Sequence, residues 1–174
     1  MSRFVSFQGQ YNLIVRTLER EHFPLFVDEG VGFISWSPLA AGMLTGKITP
    51  DRKPRDPRLG QRESAFESMF VHERGFAVAA AVQAAATTMG CSPAQVAFAW
   101  QRTRPVTSVI IGARTLAQLD DNLDALAITI PVGGSLFQGA FAATPPGAQW
   151  APIAVPALGW LGLTAAIAVG QRLA

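Results

Sequence analysis

The stretch SWSPLAAGMLTGK, residues 35–47, and the stretch VIIGARTLAQLDDN, residues 109–122, say most about how this chain folds. Each begins as an apolar, strand-like run and continues directly into small, glycine-bearing polar residues ahead of a helix. Backbone that must approach a phosphate or a flat ring closely needs that arrangement. The two stretches therefore predict a binding site where two strands end.

The segments around these stretches alternate between strand and helix patterns. Short apolar runs bounded by Gly and Pro predict buried strands at residues 31–36 and 106–111, and weak alternation favours a third strand at residues 4–8. Helical patterns cover residues 11–21 and 64–89, and another helix begins near Pro24 and stops at Gly30. Alternation of this kind predicts parallel β/α units rather than a sandwich.

Two helix starts are marked by capping residues. Ser92, Pro93 and Gln95 predict a helix that runs to about Arg102, with Gln95 reaching back to the first turn. Thr115 opens the same pattern for a last helix that ends near Ala125. The last helix thus begins within the second glycine-bearing stretch.

The composition of the chain argues against several classes of function. The chain has 174 residues, a formal net charge of +2 and one cysteine, Cys91. No basic stripe interleaved with aromatics is present, which argues against nucleic-acid binding. A lone cysteine excludes an internal disulfide framework and fits a reducing, cytoplasmic location. His22 and His72 have no metal-ligand spacing, so we expect no metal site.

The charge pattern changes abruptly near Thr129. No Asp, Glu, Lys or Arg occurs between Asp124 and Arg172, which predicts two regions, residues 1–129 and a charge-free apolar tail at residues 130–174. An irregular or helical tail is the expectation. A membrane helix at residues 150–169 is an alternative that four Pro and Gly residues weaken. Translation of the tail in a different reading frame is a further alternative.

Four groups of residues resemble the aldo-keto reductase superfamily, in the branch that includes potassium-channel beta subunits and general-stress-type reductases. The matching stretches are QGQYNL at residues 8–13, WSPL at residues 36–39 with the glycines and Lys47 that follow, SPAQVA at residues 92–97, and IIGAR at residues 110–114. They occur in family order and spacing from about Phe4 to Leu126. The resemblance therefore covers the C-terminal half of the family's fold.

The resemblance implies an α/β fold that is a partial TIM (β/α)8 barrel, about its last three β/α units, with NADP bound at the C-terminal ends of the strands. It implies that Gln8 holds the nicotinamide carboxamide and that Trp36 stacks on the ring. It also implies that the pyrophosphate is contacted by Ser37, Pro38, Leu39, Gly42 and Lys47. Arg58 would reach the adenosine phosphate. The implied contacts to the adenosine are Gly112, Arg114, Gln118, Asp121 and Asn122.

These assignments agree with the chemistry of the residues. A planar ring prefers an aromatic face, which Trp36 supplies. Gly42 and Gly112 let backbone N–H groups approach phosphate oxygens. Arg114 at a helix start can bind a 2′-phosphate with its guanidinium, which favours NADP over NAD.

The family's catalytic Asp, Tyr, Lys and His lie on earlier strands than those matched here, and Tyr11 belongs to a later-strand motif. We therefore expect the cofactor-binding half of a carbonyl reductase, inactive by itself, that acts on small carbonyl substrates only with a complementary N-terminal half-barrel chain. The alternative is a non-catalytic regulatory or interaction module that binds NADPH or a partner subunit. Association with a membrane is not expected.

Overall fold

A three-stranded parallel sheet with helices forms the part of the chain that the structure describes. The structure is a computed structural model, and it describes residues 3–51 and 69–130. In chain order the elements are β1 (Ser6–Gln10), α1 (His22–Glu29), β2 (Gly32–Trp36), α2 (Glu73–Met89), α3 (Pro93–Gln101), β3 (Ser108–Val109) and α4 (Leu116–Asp124). Short 3₁₀ segments occupy Thr17–Glu19, Ala40–Thr45 and Ala125–Ala127.

The strand order in the sheet is β1, β2, β3, and both pairings are parallel. The alignment pairs Gln8 with Ile34 and Gln10 with Trp36, while Ile34 also pairs with Ser108 on the other side. The α/β class with parallel strands that the sequence predicts is confirmed. Because parallel strands end at the same edge, residues that follow β2 and β3 meet there.

The two faces of the sheet differ in burial. Phe33 and Ser35 of β2 are fully buried, whereas Ile34 is half-buried and Trp36 is 41% exposed. The helices lie on the buried face: the Phe33 ring stacks on Phe26 of α1 with centroids 5.6 Å apart. The opposite face carries Gln8 and Trp36.

An aromatic cluster forms the centre of the core under the buried face. The Tyr11 ring stacks on Trp100 at 5.2 Å and meets Phe23 edge-on at 4.8 Å. The Tyr11 hydroxyl donates to Glu19 at 2.6 Å, and Arg16 donates to both oxygens of the same carboxylate. This cluster ties residues that follow β1 to helix α3.

Two predicted helix ends and two predicted helix starts are confirmed. Gly30 and Gly90 end α1 and α2 in the left-handed conformation, with φ of 65° and 66°. At α3 the Ser92 side chain accepts from the Gln95 amide, and the Gln95 side chain accepts in turn from the Ser92 amide. Thr115 caps α4 by accepting from the Gln118 amide.

Three predictions of secondary structure are wrong in extent. Residues 11–21 form no long helix and contain only the short 3₁₀ turn Thr17–Glu19. The reason is that the Asn12 side chain accepts from the amides of Ile14 and Val15, which a helix would use differently. The helix predicted from residue 64 is interrupted at His72, which is extended and caps α2 by accepting from the Gly75 amide. Strand β3 has two residues instead of six, although amides of Thr107 and Ile110 bond to β2 carbonyls on either side.

The membrane question has a limited answer. Within residues 3–51 and 69–130, no single helix is long and apolar enough to cross a bilayer. Helices α2 and α3 meet that test only when joined, and they are bent by 99° at their junction. The predicted tail at residues 130–174 lies outside the described residues apart from its first position.

Candidate functional site

A groove of ≈ 340 Å³ lies beyond the carboxyl ends of β2 and β3. Its lining residues come from the loop after β2, from helix α3 and from the segment after β3: Ser37, Pro38, Leu39, Ala41, Gly42, Phe98, Ile110, Ile111 and Gly112. Five of them are among the residues that the sequence nominates for a ligand. The two glycine-bearing stretches therefore meet at one surface.

The loop after β2, residues 37–42, has an unusual backbone. Ser37, Ala40 and Ala41 have positive φ values of 57°, 49° and 49°, although none of them is glycine, and Gly42 has φ of 101°. Amides of Ala40 and Gly42 donate back to the carbonyls of Ser37 and Leu39 at 3.0 and 2.9 Å. Left-handed backbone at non-glycine residues is strained and is found preferentially at ligand sites.

Both glycines of the groove border open space. A Cβ built on Gly42 or on Gly112 meets no atom within 4 Å. The packing of the protein itself therefore does not require glycine at Gly112, where φ is also ordinary. Space above a glycine backbone lets a ligand approach the main chain closely, although the Gly42 amide itself already donates to the Leu39 carbonyl.

A buried amide side chain fastens this loop to the end of β1. Asn12 is fully buried, and its Nδ2 donates to the Ser37 carbonyl at 2.9 Å. Its Oδ1 accepts from the amides of Ile14 and Val15 at 2.9 and 2.8 Å. The sequence motif contains Asn12, but no role was predicted for it, because the partners of its amide become apparent only in three dimensions.

Gln8 and Trp36 lie on the open face of the sheet. Their strands pair in parallel with Gln8 opposite Ile34, so the side chains of Gln8 and Trp36 leave the sheet on the same side. Both side chains are exposed. Gln8 also borders a separate cavity of ≈ 610 Å³ beside β1 and α1, whose lining shares no residue with the groove.

The segment after β3 presents Arg114 and Gln118. The Gln118 side-chain oxygen accepts from the Arg114 amide at 2.9 Å, and the Gln118 amide donates to Thr115 at 3.2 Å. The Arg114 side chain is exposed, two residues after Gly112 of the groove. Arg114 itself is not among the residues that line the groove.

Asp121 has contacts within the protein instead. Its carboxylate accepts from the Ser92 hydroxyl at 3.0 Å, and its carbonyl accepts from the Gln95 side chain at 3.1 Å. Partial burial and the nearby Asp121 carboxylate raise the pKa of the Cys91 thiol. Asp121 therefore joins α4 to the start of α3, and this is the contact that the structure assigns to it.

The remaining nominated residues are placed as follows. Lys47 is exposed directly after Gly46, which ends the Ala40–Thr45 segment with φ of 74°. Asn122 is half-buried on α4. Arg58 lies outside the described residues. In the described ranges no group of three or more His, Cys, Asp or Glu side chains is arranged to hold a metal ion.

Sequence reasoning missed the apolar wall of the groove. Phe98 of α3, together with Ile110 and Ile111 after β3, supplies most of that wall. The only available signal was that the predicted strand at residues 106–111 runs on to Gly112, which puts its last side chains at the sheet edge. An apolar wall opposite a strained loop of mostly small residues suits a ligand with a flat ring.

A family model described as the aldo/keto reductase family matches residues 1–132. Similar curated proteins include a probable voltage-gated potassium channel subunit beta from Arabidopsis thaliana. It is 32% identical over 124 residues, which cover 70% of this chain and 38% of that protein. The resemblance drawn from the sequence motifs is confirmed.

Relatives with reductase names are found as well. An uncharacterised oxidoreductase of Bacillus subtilis is 32% identical over 152 residues, covering 84% of this chain and 44% of that protein. Versiconal hemiacetal acetate reductase of Aspergillus parasiticus is 31% identical over 134 residues, covering 74% of this chain and 37% of that protein. The chain spans less than half the length of these curated relatives.

Proposed function

The chain belongs to the aldo/keto reductase family, and we propose that it is the NADP-binding part of a carbonyl reductase. In this proposal its parallel strands are about the last three β/α units of a (β/α)8 barrel. Active sites of such barrels form at the carboxyl ends of the strands. The groove beyond β2 and β3 lies at that end.

The observation that carries the proposal is the composition of the groove. Ser37, Leu39, Gly42 and Gly112 come from two separate stretches of sequence and line one surface. Open space above Gly42 and Gly112 fits a ligand that packs directly on the backbone. The residues present are thus compatible with a dinucleotide.

We assign the ligand's parts to residues by chemistry. The exposed Trp36 ring and Gln8 would hold the nicotinamide, and the 37–42 loop with Lys47 would hold the pyrophosphate. Arg114, Gln118 and Asn122 would hold the adenosine end, where a guanidinium selects a 2′-phosphate. Asp121 would stabilise the contact between α4 and the start of α3 through its bond to Ser92, and would not itself hold the ligand. Arg58 stays a prediction for the adenosine phosphate.

When bound, the reduced cofactor NADPH would supply the hydride that reduces an aldehyde or ketone. The residues of this chain bind and orient the cofactor, and the acid that protonates the carbonyl oxygen would come from earlier strands of the barrel. We therefore propose that the 174-residue chain alone has no turnover and that a complementary N-terminal half-barrel restores it. The single cysteine supports a reducing compartment such as the cytoplasm.

Binding of NADP⁺ to the purified chain tests the proposal. We expect saturable binding, with NADP⁺ preferred over NAD⁺, measured by calorimetry. Gly112→Leu fills the groove and should weaken binding at least tenfold without loss of stability, since a Cβ there meets no atom. Ala113→Leu is the matched control, because Ala113 is exposed and does not line the groove. Equal affinities for both variants and the parent chain contradict the site.

A second candidate function is a regulatory or interaction module without reductase activity. The observation that favours it is that two similar proteins, from Arabidopsis thaliana and rice, are named as probable potassium channel beta subunits. The two functions differ in one measurement. NADPH oxidation with an aldehyde, after a complementary half-chain is added, supports the reductase; binding without oxidation supports the module.

A further inference from the structure

We propose that Asn12 is the positioning residue for the 37–42 loop, so that the amide side chain at the end of β1 sets the shape of the groove beyond β2. The inference rests on the proposed function, in which that loop holds the pyrophosphate of NADP. Asn12 does not line the groove itself. It acts through Ser37, which does.

Three of the four hydrogen-bonding directions of the Asn12 amide have partners within the protein. The Oδ1 atom accepts from two consecutive amides, those of Ile14 and Val15, and this holds the turn that contains Asn12. The Nδ2 atom donates to the Ser37 carbonyl. The chemistry of these partners fixes the orientation of the amide, because two N–H donors require the oxygen and a carbonyl requires the nitrogen.

Two donors converge on the Ser37 carbonyl. The Ala40 amide reaches it at 3.0 Å from within the loop, and Asn12 reaches it at 2.9 Å from the β1 side. Ser37 has φ of 57°, a conformation that a non-glycine residue holds only when its surroundings impose it. The bond from Asn12 is a contact from outside the loop that stabilises this conformation.

The neighbouring residue strengthens the connection. The Tyr11 amide donates to the Trp36 carbonyl at 3.3 Å, one residue before Ser37. The Tyr11 ring is itself fixed in the core by Trp100. Residues 11 and 12 therefore connect the packed core to the end of β2. The exposed Trp36 ring and the groove begin at that end.

The amide is required as both donor and acceptor. An aspartate has the same shape and could still accept from the amides of Ile14 and Val15, but its second oxygen would face the Ser37 carbonyl with no proton between them. A buried pair of acceptors without a donor is destabilising. Asn12→Asp therefore replaces the donor to Ser37 with an acceptor, and it also places a carboxylate in a fully buried position.

Hydrogen exchange of the full chain tests the positioning role without any ligand. In Asn12→Asp we expect protection of the Ala40 and Gly42 amides to fall about tenfold or more. The Val31 and Cys91 amides, which bond to Phe26 and Ala86 at helix ends, should change much less. Phe26→Leu is the control, since it disturbs the core beside α1 and should lower protection generally. A uniform loss in Asn12→Asp would overturn the proposal.

Binding of NADP⁺ to the same variants gives the second readout. We expect affinity to fall about tenfold or more in Asn12→Asp and to stay within about twofold in Phe26→Leu, because misplacing a binding loop costs affinity where a remote core change does not. Unchanged affinity in Asn12→Asp, with a parent chain that binds, contradicts the proposal. If the parent chain binds no NADP⁺, the proposed function fails, and hydrogen exchange still decides whether Asn12 positions the loop.

Discussion

The buried face of the sheet and its carboxyl end differ in what they contribute to this chain. On the buried face, Tyr11, Phe33 and Trp100 pack in a dense aromatic cluster with every one of these side chains at most 2% exposed. At the open end, small residues and strained backbone border a groove. Stability therefore depends on the first region, and the proposed binding depends on the second. Substitutions in the two regions should affect different measurements.

The largest expected effect comes from removing the centre of the aromatic cluster. Trp100→Ala leaves a cavity against Tyr11 and removes the ring that Arg16 and Arg104 cover at 5.6 and 5.0 Å. We expect the free energy of unfolding to fall by about 3–5 kcal/mol, measured by urea denaturation.

The matched variant is Trp36→Ala on the open face. Because Trp36 is 41% exposed, its loss should change the free energy of unfolding by less than about 1 kcal/mol while NADP⁺ affinity falls. If Trp100→Ala and Trp36→Ala lower the free energy of unfolding equally, the two regions do not have these separate roles.

An intermediate effect is expected at the buried hydroxyl. Tyr11→Phe removes the bond to Glu19 and should lower the free energy of unfolding by about 1–3 kcal/mol at neutral pH. Burial first, and then the Glu19 carboxylate, raise the pKa of Tyr11 well above its ordinary value. The native state thus keeps the phenol proton at a pH where the unfolded chain, with a tyrosine pKa of about 10, loses it.

The raised pKa of Tyr11 makes the free energy of unfolding depend on pH in alkaline solution. The contribution of this group to stability does not vary with pH below about pH 10, and it falls as the pH rises above that value. Tyr11→Phe should show a weaker fall. Tyr11 is the only tyrosine in the chain, so tyrosinate absorbance reports it alone. Tyrosinate that forms at its ordinary pKa in a folded sample contradicts this account.

The smallest effect is expected at the start of α3. Ser92→Ala removes the cap and the bond to Asp121, and it should cost about 1 kcal/mol of stability. We expect unchanged NADP⁺ affinity, measured by calorimetry at a temperature where the variant is folded. A change in NADP⁺ affinity would instead show that Asp121 belongs to the binding region.

Local features of the sequence predicted the fold well. The capping box at Ser92, the Thr115 cap and the helix ends at Gly30 and Gly90 are all present. Each depends on a few neighbouring residues, so a single sequence contains the full signal. The parallel arrangement followed from the alternation of strands and helices.

The wrong predictions share a physical cause. Residues 11–21 have a helical pattern, but Asn12 bonds to its own turn and Tyr11 packs on Trp100, far away in sequence. At residue 72 the His72 ring caps α2 and interrupts the expected helix. Tertiary contacts and side-chain bonds to the backbone override local propensity in both places.

The candidate site was predictable in part. Ser37, Gly42 and Gly112 were nominated from their glycine-bearing context and line one groove. The left-handed conformations of Ala40 and Ala41 were not foreseeable, since alanine favours the right-handed region. Roles for the nominated residues stay predictions until a ligand is measured.

The all-parallel sheet also sets an order of assembly. Pairing β1 with β2 joins residues as close as Ser6 and Gly32, whereas the contact of Phe33 with Thr107 spans 74 positions of the chain. Closing the longer loop costs more entropy, and no hairpin can start the sheet. The first two strands with α1 should thus form an early unit during folding, and recruitment of β3, which completes the groove, should come late.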